Sequence, residues 1–436
     1  MAVGEVTAEA GAIELDRAQQ RCLRERLGGC FPLFAMLTYE EALAHVLAAM
    51  PPAKPEKIPV ADAAGRFLTE PVSSLLDLPP FDNSAMDGYA VRAADVASAS
   101  ADKPIALRLV GQVGAGQVFK GSVGVQTCVR LFTGTPLPAG ADAVVMQEDT
   151  QADDDTVQVL DRARPWENVR LRGEDVKSGA VIVTPGTRLG AGHLNLLAAI
   201  GTASVRVAKR PRVALVSTGS ELRPPGKPLA PGQIYESNRA MLGAMLSDCG
   251  AEARTYPLVP DTLNRTRNAL QRAFAECDAV VTTGGASVGQ LDFVKAAFAE
   301  LGGSQEFWKV AIKPGKPFVF GTLAGKFLFG LPGNPVSAYV TFLLLVQPAL
   351  LRWQGAAETA LPAHTGTLAE PLVNRGDRRH FVRVRVDADG RVHSAGTQAS
   401  HMLHSLAAAN GLVEVSPETT LAAGAMVRVL RCGGGL

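Results

Sequence analysis

The sequence predicts a multidomain chain of α+β and α/β type, with a central three-layer α/β domain flanked by smaller β-rich domains. Its length of 436 residues corresponds to about three domains at ~150 residues each. Residues 211–353 alternate between buried-type strands and helices, which is typical of a mostly parallel sheet covered on both faces. The segments on either side contain short β-rich runs between Gly, Pro and Asp turns, which are typical of small β domains.

The composition excludes several classes of protein. Hydrophobic residues make up 47% and charged residues 19%, which excludes wholesale disorder. A net charge of +1 argues against nucleic-acid binding and membrane-surface binding, which usually need a basic excess. The six cysteines include no C-x-x-C pair, so neither a disulfide framework nor a zinc ribbon is expected. Without a signal-peptide pattern or an uninterrupted apolar span, the chain is expected to be cytoplasmic and to have no membrane contact.

The predicted domains follow one another along the chain. Thr38 and Glu41 match a capping box, so a helix should begin at Thr38 and stop at the prolines 51–52. Within the α/β domain, strands are expected at 253–259, 279–283, 307–312 and 326–331, a helix should run from 262 to 277, and a long helix should cover 336–353. The expected divisions are a tail (1–35), a discontinuous connector domain (36–55 and 171–210), an N-terminal β-rich domain (56–170), the α/β domain (211–355) and a C-terminal β domain (360–436).

Glycines, carboxylates and lysines follow several strands of the predicted α/β sheet. In an open α/β sheet, ligands bind outside the carboxyl ends of the strands. The segments that should meet there are 218–221 (TGSE), 260–261 (PD), 284–289 (GGASVG), 313–317 (KPGKP) and 331–337 (LPGNPVS). Their convergence on one edge is the strongest physical evidence for a ligand site.

The glycine-rich segment 284–289 has more than one interpretation. It joins a strand to a helix, so its backbone N–H groups could hold a phosphate, or it could be a tight turn without a ligand. It is not a Walker A loop, because no Gly-Lys pair is followed by Ser or Thr. It also fits the G-x-S-x-G pattern of α/β-hydrolases, but no HGGG-type oxyanion segment accompanies it, so a hydrolase is disfavoured.

The charged residues of this edge are also open to two interpretations. Glu221, Asp261 and Asp292 suit Mg²⁺, which takes one or two carboxylates and keeps several waters. Asp261 and Asp292 could instead cap helices. Lys313 and Lys316 are held close together by prolines and a glycine, which costs energy unless an anion neutralises them. They could also be solvated surface lysines.

Taken together, these motifs resemble the MoeA/gephyrin E-domain family, the molybdopterin molybdenumtransferases. The resemblance covers about residues 36–436 in family order, and residues 379–383 (RHFVR) and 400–410 extend it into the last domain. The principal segments are 81–90 (FDNSAMDGYA), 133–136 (TGTP), 172–176 (RGEDV), 217–222 (STGSEL), 235–238 (YESN), 283–289 (TGGASVG), 311–318 (AIKPGKPF) and 330–337 (GLPGNPVS).

The resemblance implies an activity and an assembly. Such proteins insert molybdenum from molybdate into adenylylated molybdopterin with release of AMP, and Mg²⁺ is needed. They are elongated homodimers of four-domain chains, in which residues 211–355 would form the molybdopterin-binding domain. The N-terminal β domain of the partner would complete the active site. Contact with the molybdopterin adenylyltransferase, which makes the substrate, is also expected.

The resemblance also implies roles for individual residues. No protein nucleophile is expected, because positioning and electrostatics would carry the rate. Two departures from the family pattern are Ser220, where many relatives have Asp, and His380, where Glu is usual. The implied catalytic residues are Asp87, Thr133, Asp175, Glu221, Asp261 and Asp292, of which the last three would hold the metal. The implied substrate-binding residues are Gly284, Gly285, Ser287, Gly289, Lys313, Lys316, Pro332, Pro335, Arg379 and Ser400.

Two other functions are open. The α/β domain alone would also suit the sister activity, the adenylylation of molybdopterin with ATP, but the additional β domains argue against it. A scaffold that clusters partner proteins, as gephyrin does, would draw on an extra fused domain and a long linker that this sequence lacks.

Overall fold

The computed structural model describes residues 36–285 and 293–432. These residues form two compact units. One unit consists of residues 52–209 with 354–358, and the other of residues up to 51, 210–353 and 359–432. The predicted tail, residues 1–35, lies outside the described residues, and the finer division into domains stays a prediction.

The helices begin and end close to the predicted positions. The predicted capping box is present: Glu41 N donates to Thr38 Oγ1 over 3.2 Å, and Thr38 N donates to the Glu41 carboxylate over 2.9 Å. Single 3-10 turns cover Val60–Asp62 and Gln147–Asp149. The helices are α1 (Tyr39–Ala49), α2 (Ala93–Val96), α3 (Ala191–Ala199), α4 (Asn238–Asp248), α5 (Leu263–Glu276), α6 (Phe293–Glu300), α7 (Pro335–Thr341), α8 (Gln347–Trp353) and α9 (Leu403–Ala407).

The unit that contains residues 52–209 is rich in β structure. Its largest sheet has the order β7–β4–β6–β5–β9–β8, with separate apolar clusters on its two faces because alternate residues of a strand face opposite ways. The strands are β1 (Pro55–Pro59), β2 (Val72–Ser73), β3 (Asn83–Ser84), β4 (Gly88–Val91), β5 (Ile105–Val113), β6 (Thr127–Leu131), β7 (Ala143–Met146), β8 (Thr150–Asp153), β9 (Thr156–Val159), β10 (Val169–Arg170), β11 (Val181–Val183) and β12 (Ser204–Ala208).

The second unit contains the predicted α/β sheet. Its order is β16–β13–β17–β21–β20–β18; the first four strands are parallel, and β20 runs antiparallel to both of its neighbours. The strands are β13 (Arg212–Ser217), β14 (Leu222–Arg223), β15 (Ile234–Tyr235), β16 (Glu252–Thr255), β17 (Ala279–Thr283), β18 (Ser304–Lys309), β19 (Ile312–Lys313), β20 (Pro317–Leu323) and β21 (Lys326–Leu331).

Helices cover both faces of this sheet, which confirms the three layers. Leu215 and its alternate neighbours pack against α1, α4, α7 and α8, whereas Val216 packs with α5 and α6. A π-helical turn, Phe342–Val346, joins α7 to α8. The combined helix Pro335–Trp353 is long and apolar enough to cross a membrane by length and composition, contrary to the expectation from sequence. Most of it is buried against the sheet, which accounts for its apolar composition.

The C-terminal residues of the same unit form a small closed sheet. Its order is β19–β24–β25–β22–β28–β26, and β26 also pairs with β24, which closes the circle. Strand β19 precedes β20 in the chain and pairs with β24, so Lys313 lies opposite His380. The strands are β22 (Ala363–Leu368), β23 (Leu372–Asn374), β24 (Arg379–Val386), β25 (Arg391–Ser394), β26 (Gly411–Val415), β27 (Thr419–Leu421) and β28 (Met426–Arg431).

Candidate functional site

The loops that carry Glu221 and Asp261 are joined at the carboxyl ends of β13 and β16. Gly219 N donates to Val259 O over 3.0 Å. Ser220 and Asp261 exchange two hydrogen bonds: Ser220 N donates to Asp261 Oδ2, and Asp261 N donates to Ser220 Oγ, each over 3.0 Å. Two of the predicted metal ligands therefore come from adjoining loops. The third, Asp292, lies outside the described residues.

This donor set fits a magnesium ion. The residues that the structure describes contain no group of three His, Cys, Asp or Glu side chains able to hold a metal. Glu221 and Asp261 nevertheless supply hard oxygen donors, and Mg²⁺ needs only one or two carboxylates beside its waters. Glu221 is exposed and Asp261 is half-buried, so water can reach both.

Two glycines shape the loop after β17. Gly284 and Gly285 have φ angles of +80° and +67°, which side chains rarely adopt. A Cβ on Gly284 would lie 2.5 Å from the Thr218 carbonyl oxygen, and a Cβ on Gly285 would lie 2.5 Å from a Val294 methyl carbon. These glycines let the loop pack against the ends of β13 and α6. The predicted Ser287 and Gly289 lie outside the described residues.

The loop after β21 continues this edge. A Cβ on Gly333 would lie 3.5 Å from Gly284 Cα, so the two loops are adjacent. The flanking Pro332 is buried and Pro335 is the first residue of α7. Asn334 Nδ2 donates to Ser400 Oγ over 3.1 Å, and Val336 N donates to the Ser400 carbonyl over 3.3 Å. Ser400 therefore contacts Asn334 and Val336, which lie in the same segment as the predicted Pro332 and Pro335.

The lysine segment lies at the far side of the same edge. Lys313 and Lys316 are both exposed. Gly315 between them has a φ of +110°, and a Cβ there would lie 2.4 Å from Thr341 Cγ2, so this segment packs directly on α7. His380, opposite Lys313, is 5% exposed, and neither ring nitrogen has a partner among the described residues. Burial, reinforced by the charge of Lys313, lowers the pKa of His380 to about 4, so the imidazole is neutral near pH 7.

Arg379, predicted to bind the oxyanion, is engaged with two carboxylates. Its guanidinium forms ion pairs with Glu40 and, over 3.2 Å, with Glu414. Glu40 and Glu414 therefore already balance the positive charge of Arg379, which the resemblance assigns to the binding of an oxyanion.

Arg383 is a buried cation to which the sequence analysis assigned no role. It is fully buried, and its Nη2 donates to Thr397 O over 2.8 Å, to Ala399 O over 3.2 Å and to Ser405 Oγ over 3.0 Å. Its Nη1 has no partner, and no ion pair joins it to a carboxylate within residues 36–285 and 293–432. Burial lowers the pKa of this guanidinium. A buried charge without a counterion is costly, so Arg383 is a candidate partner for an anion.

A buried ion pair lies next to the end of β13, and the sequence analysis assigned it no role. Glu236, 5% exposed, accepts from Ser217 Oγ over 3.2 Å and from Arg239 Nε over 2.8 Å. Arg239 Nη1 also donates to Tyr256 O over 2.8 Å. These bonds hold the guanidinium in one orientation. The signal in the sequence was a carboxylate and an arginine three residues apart where α4 begins.

The remaining predicted residues belong to the unit that contains residues 52–209. Asp87 Oδ1 accepts from Thr133 N over 2.7 Å and from Thr133 Oγ1 over 2.8 Å, although the two are 46 positions apart. These two bonds hold the pKa of Asp87 below its ordinary value. Asp175 is exposed, and its N–H donates to Leu78 O over 3.0 Å; its carboxylate makes no bond with Asp87 or Thr133.

Three family models match this chain. They are the MoeA N-terminal region (domain I and II) over residues 37–201, the probable molybdopterin binding domain over 214–352, and the MoeA C-terminal region (domain IV) over 365–431. The "Molybdopterin molybdenumtransferase" of Haemophilus influenzae is 38% identical over 390 residues, which are 88% of this chain and 95% of that protein.

A second relative and a solved structure are similar to this chain over most of its length. The "Molybdopterin molybdenumtransferase 2" of Mycobacterium tuberculosis is 39% identical over 383 residues, which are 86% of this chain and 95% of that protein. The crystal structure of the molybdopterin biosynthesis moeA protein from Pyrococcus horikoshii superposes with a TM-score of 0.78 at 31% identity, and covers 91% of this chain and 100% of that one.

Proposed function

This chain belongs to the MoeA family, and we propose that it is a molybdopterin molybdenumtransferase, which inserts molybdenum from molybdate into adenylylated molybdopterin and releases AMP. The proposal rests first on the relatives, which carry this name over most of their length. It rests second on the continuous edge in the unit that holds the α/β sheet.

The continuity of that edge is the observation that supports the chemistry. Each loop contacts the next, from Asp261 through Ser220 to the Gly284 loop, on to Gly333, and from Asn334 to Ser400. Acidic side chains lie at one end, and lysines with a buried arginine lie at the other. A substrate that carries a diphosphate and must meet an oxyanion needs such a separation of charge.

The basic end would bind molybdate. Lys313 and Lys316 would supply positive charge, and Ser400 would supply a hydroxyl donor. We propose Arg383 in place of Arg379 as the arginine of this pocket, because Arg383 lacks a counterion whereas Arg379 has two. The neutral imidazole of His380 leaves the charge of Lys313 available to the anion.

The acidic end would hold Mg²⁺. Glu221 and Asp261 are the described ligands that we propose, and Asp292 would join them. The ion would neutralise charge on the phosphates when bound. The N–H groups of the Gly284 loop would donate to the phosphate oxygens, and Ser220 would keep Asp261 oriented by the two bonds between them.

Further features of the proposal concern assembly and location. We propose a cytoplasmic homodimer that receives its substrate from the molybdopterin adenylyltransferase. Asp87, held ionised by Thr133, would orient the substrate together with Asp175.

The test is a product assay with the purified protein. Incubation with adenylylated molybdopterin, Mg²⁺ and molybdate should release AMP in a molybdate-dependent manner. Glu221→Gln should abolish that release, whereas Arg210→Gln, an exposed residue at the amino end of the sheet, should not change it. ATP consumption with free molybdopterin would instead support the adenylyltransferase. The absence of both activities would refute both enzymatic functions.

A further inference from the structure

The segment that carries Glu221 leaves the sheet after β13 and returns to itself through backbone hydrogen bonds. Ile234 N donates to the Glu221 carbonyl over 3.0 Å, and Glu236 N donates to the Arg223 carbonyl over 2.9 Å. Between these contacts, no residue from 224 to 235 is buried. The loop therefore has little apolar packing of its own, and its position depends on the polar contacts at its base.

Glu236 is the buried contact at that base. Its carboxylate accepts three hydrogen bonds: from Ser217 Oγ over 3.2 Å, from Arg239 N over 2.9 Å and from Arg239 Nε over 2.8 Å. Ser217 is the last residue of β13 and is fully buried. The carboxylate of Glu236 therefore fastens the returning end of the Glu221 loop to the end of the strand from which the loop departs.

The same ion pair is connected to the neighbouring loops of the edge. Thr283 Oγ1 donates to Ser217 Oγ over 3.0 Å, and Thr283 is the residue before the Gly284 loop. Arg239 Nη1 donates to the Tyr256 carbonyl over 2.8 Å, directly after β16. One carboxylate with its arginine thus contacts the carboxyl ends of β13, β16 and β17, the three strands that precede the proposed metal and phosphate loops.

Stability alone is a weak explanation for this pair. Taking two charges out of water offsets most of their attraction, so a buried ion pair often adds little to the stability of a fold. The same sheet has a second pair, in which Arg212 and Asp278 meet at the amino ends of β13 and β17, opposite the candidate site. The second pair is half-buried and holds no loop of the site, so it serves as a reference for a purely structural role.

We propose that Glu236 is a positioning residue for metal binding: through its bonds to Ser217 and Arg239 it holds the loop of Glu221 in the orientation that Mg²⁺ needs. The inference rests on the proposed function, since it assumes that Glu221 is a metal ligand. It deepens that function by assigning a role to a buried residue that does not touch the ion. Residues that support metal ligands in this way typically change metal affinity by about 10–100-fold when they are replaced.

The experiment is titration of the purified full chain with Mn²⁺, a paramagnetic substitute for Mg²⁺ whose free form is measured by electron paramagnetic resonance. Glu236→Gln keeps the size of the side chain but removes its charge and one acceptor oxygen. It should weaken Mn²⁺ binding about tenfold or more and leave molybdate affinity unchanged. Asp278→Asn, the matched control, breaks the pair with Arg212 and should bind Mn²⁺ as the wild type does. Circular dichroism and the thermal unfolding midpoint establish that each variant is folded.

A double variant, Glu236→Gln with Arg239→Gln, separates orientation from charge and stability. In the single variant the guanidinium of Arg239 loses its carboxylate partner, which destabilises the fold and also repels a cation. The double variant removes that charge, so its unfolding midpoint should recover toward the wild type while Mn²⁺ affinity stays low. Recovery of both quantities would show that Glu236 acts only through charge and stability, and would overturn the inference.

The Mg²⁺ dependence of AMP release gives a second readout. Glu236→Gln should raise the Mg²⁺ concentration that gives half of the maximal rate, and the rate at saturating Mg²⁺ should stay close to that of the wild type. This pattern is expected of a residue that orients a metal ligand and does not take part in the reaction. A lower maximal rate with an unchanged Mg²⁺ dependence would contradict the positioning role.

Glu221→Gln separates the inference from the proposed function. Weak Mn²⁺ binding in Glu221→Gln together with wild-type binding in Glu236→Gln would retain the metal site and overturn the positioning role. Wild-type Mn²⁺ binding in Glu221→Gln would instead remove Glu221 from the proposed metal site, and the role of Glu236 would fall with it. A wild-type chain that binds no Mn²⁺ at millimolar concentration would have the same consequence.

Discussion

Replacing Arg383 by methionine tests the oxyanion pocket directly. The side chain is fully buried and has no carboxylate partner among the described residues, so an anion beside it would supply the missing counter-charge. A hydrogen bond to a charged group contributes about 1.5–3 kcal/mol. Loss of one such hydrogen bond from Nη1 should therefore weaken molybdate binding by about one to two powers of ten.

Arg379→Met is the matched control. The same substitution, four residues along the same strand, removes a guanidinium that Glu40 and Glu414 already neutralise. These pairs are partly exposed, and exposed ion pairs contribute about 0–1 kcal/mol to stability. Molybdate affinity in Arg379→Met should stay within about twofold of the wild type, a change below 0.5 kcal/mol.

Equilibrium dialysis with molybdate gives the dissociation constant for each protein. The shift in unfolding temperature on adding molybdate gives an independent measure, because a ligand stabilises only the state that binds it. Arg383→Lys, which keeps a charge but not the fork of donors, should have an intermediate affinity. Wild-type molybdate affinity in Arg383→Met, together with its loss in Arg379→Met, would refute the reasoning and restore the assignment made from sequence.

Three further predictions concern stability and ionisation. His380 has a folded pKa of about 4 against 6.5 when unfolded, so its contribution to stability is complete above pH 6.5 and is lost as the pH falls toward 4. At pH 5.5 that loss should be about 1 kcal/mol relative to a pH above 6.5. In urea titrations at these two pH values, His380→Phe should show no such loss. Thr133→Val keeps the backbone donor but loses the hydroxyl, so the pKa of Asp87 should rise part of the way to its ordinary value in a ¹³C-carboxylate NMR titration. Phe329→Ala should lower the free energy of unfolding by about 3–5 kcal/mol, because the ring is fully buried 5.5 Å from that of Phe320; Phe329→Leu should cost clearly less.

The sequence predicted those elements whose cause is local. Thr38 and Glu41 define the start of α1 by their own hydrogen bonds, so the pattern was sufficient. Strands β17 and β21 were predicted at their observed ends because both are buried on two faces and read as continuous apolar runs. The short turn Ala324–Gly325, with φ angles of +49° and +75°, closes the hairpin before β21.

Elements that depend on distant partners were predicted less well. The strand expected over 253–259 ends at Thr255. Tyr256 N still donates to Leu215 O, but the next bond to β13 comes from Val259 N to Ser217 O, so the regular register is interrupted between these two residues. The strand expected to continue to Ile312 ends at Lys309, because Ile312 N donates to the Val310 carbonyl in a tight turn over 2.8 Å. The π-helical turn Phe342–Val346 has no signal in the sequence, since an apolar run of that kind is equally suited to an α-helix.

The same distinction explains the arginines of the candidate site. Arg379 and Arg383 lie on the same face of β24, and in the sequence nothing separates them. Their difference arises from Glu40 on α1 and Glu414 on β26, which reach Arg379 from 339 and 35 positions away and leave Arg383 without a counterion. Spacing within a motif identifies a candidate segment, but the charge balance that distinguishes one arginine from the other exists only in three dimensions.

Charge balance also explains how one edge of the sheet could bind a cation at one end and an anion at the other. The chain as a whole carries a net charge of +1, so its total charge steers neither ion. Within the edge, Glu221 and Asp261 lie beyond β13 and β16, whereas Lys313 and Lys316 precede β20, which is three strand spacings from β13, about 14 Å. That distance exceeds the Debye length of ~8 Å at physiological ionic strength, so each end keeps its own sign instead of neutralising the other. An added charge of the wrong sign, as in Ser220→Lys at the acidic end, should therefore weaken Mg²⁺ binding while leaving molybdate affinity nearly unchanged.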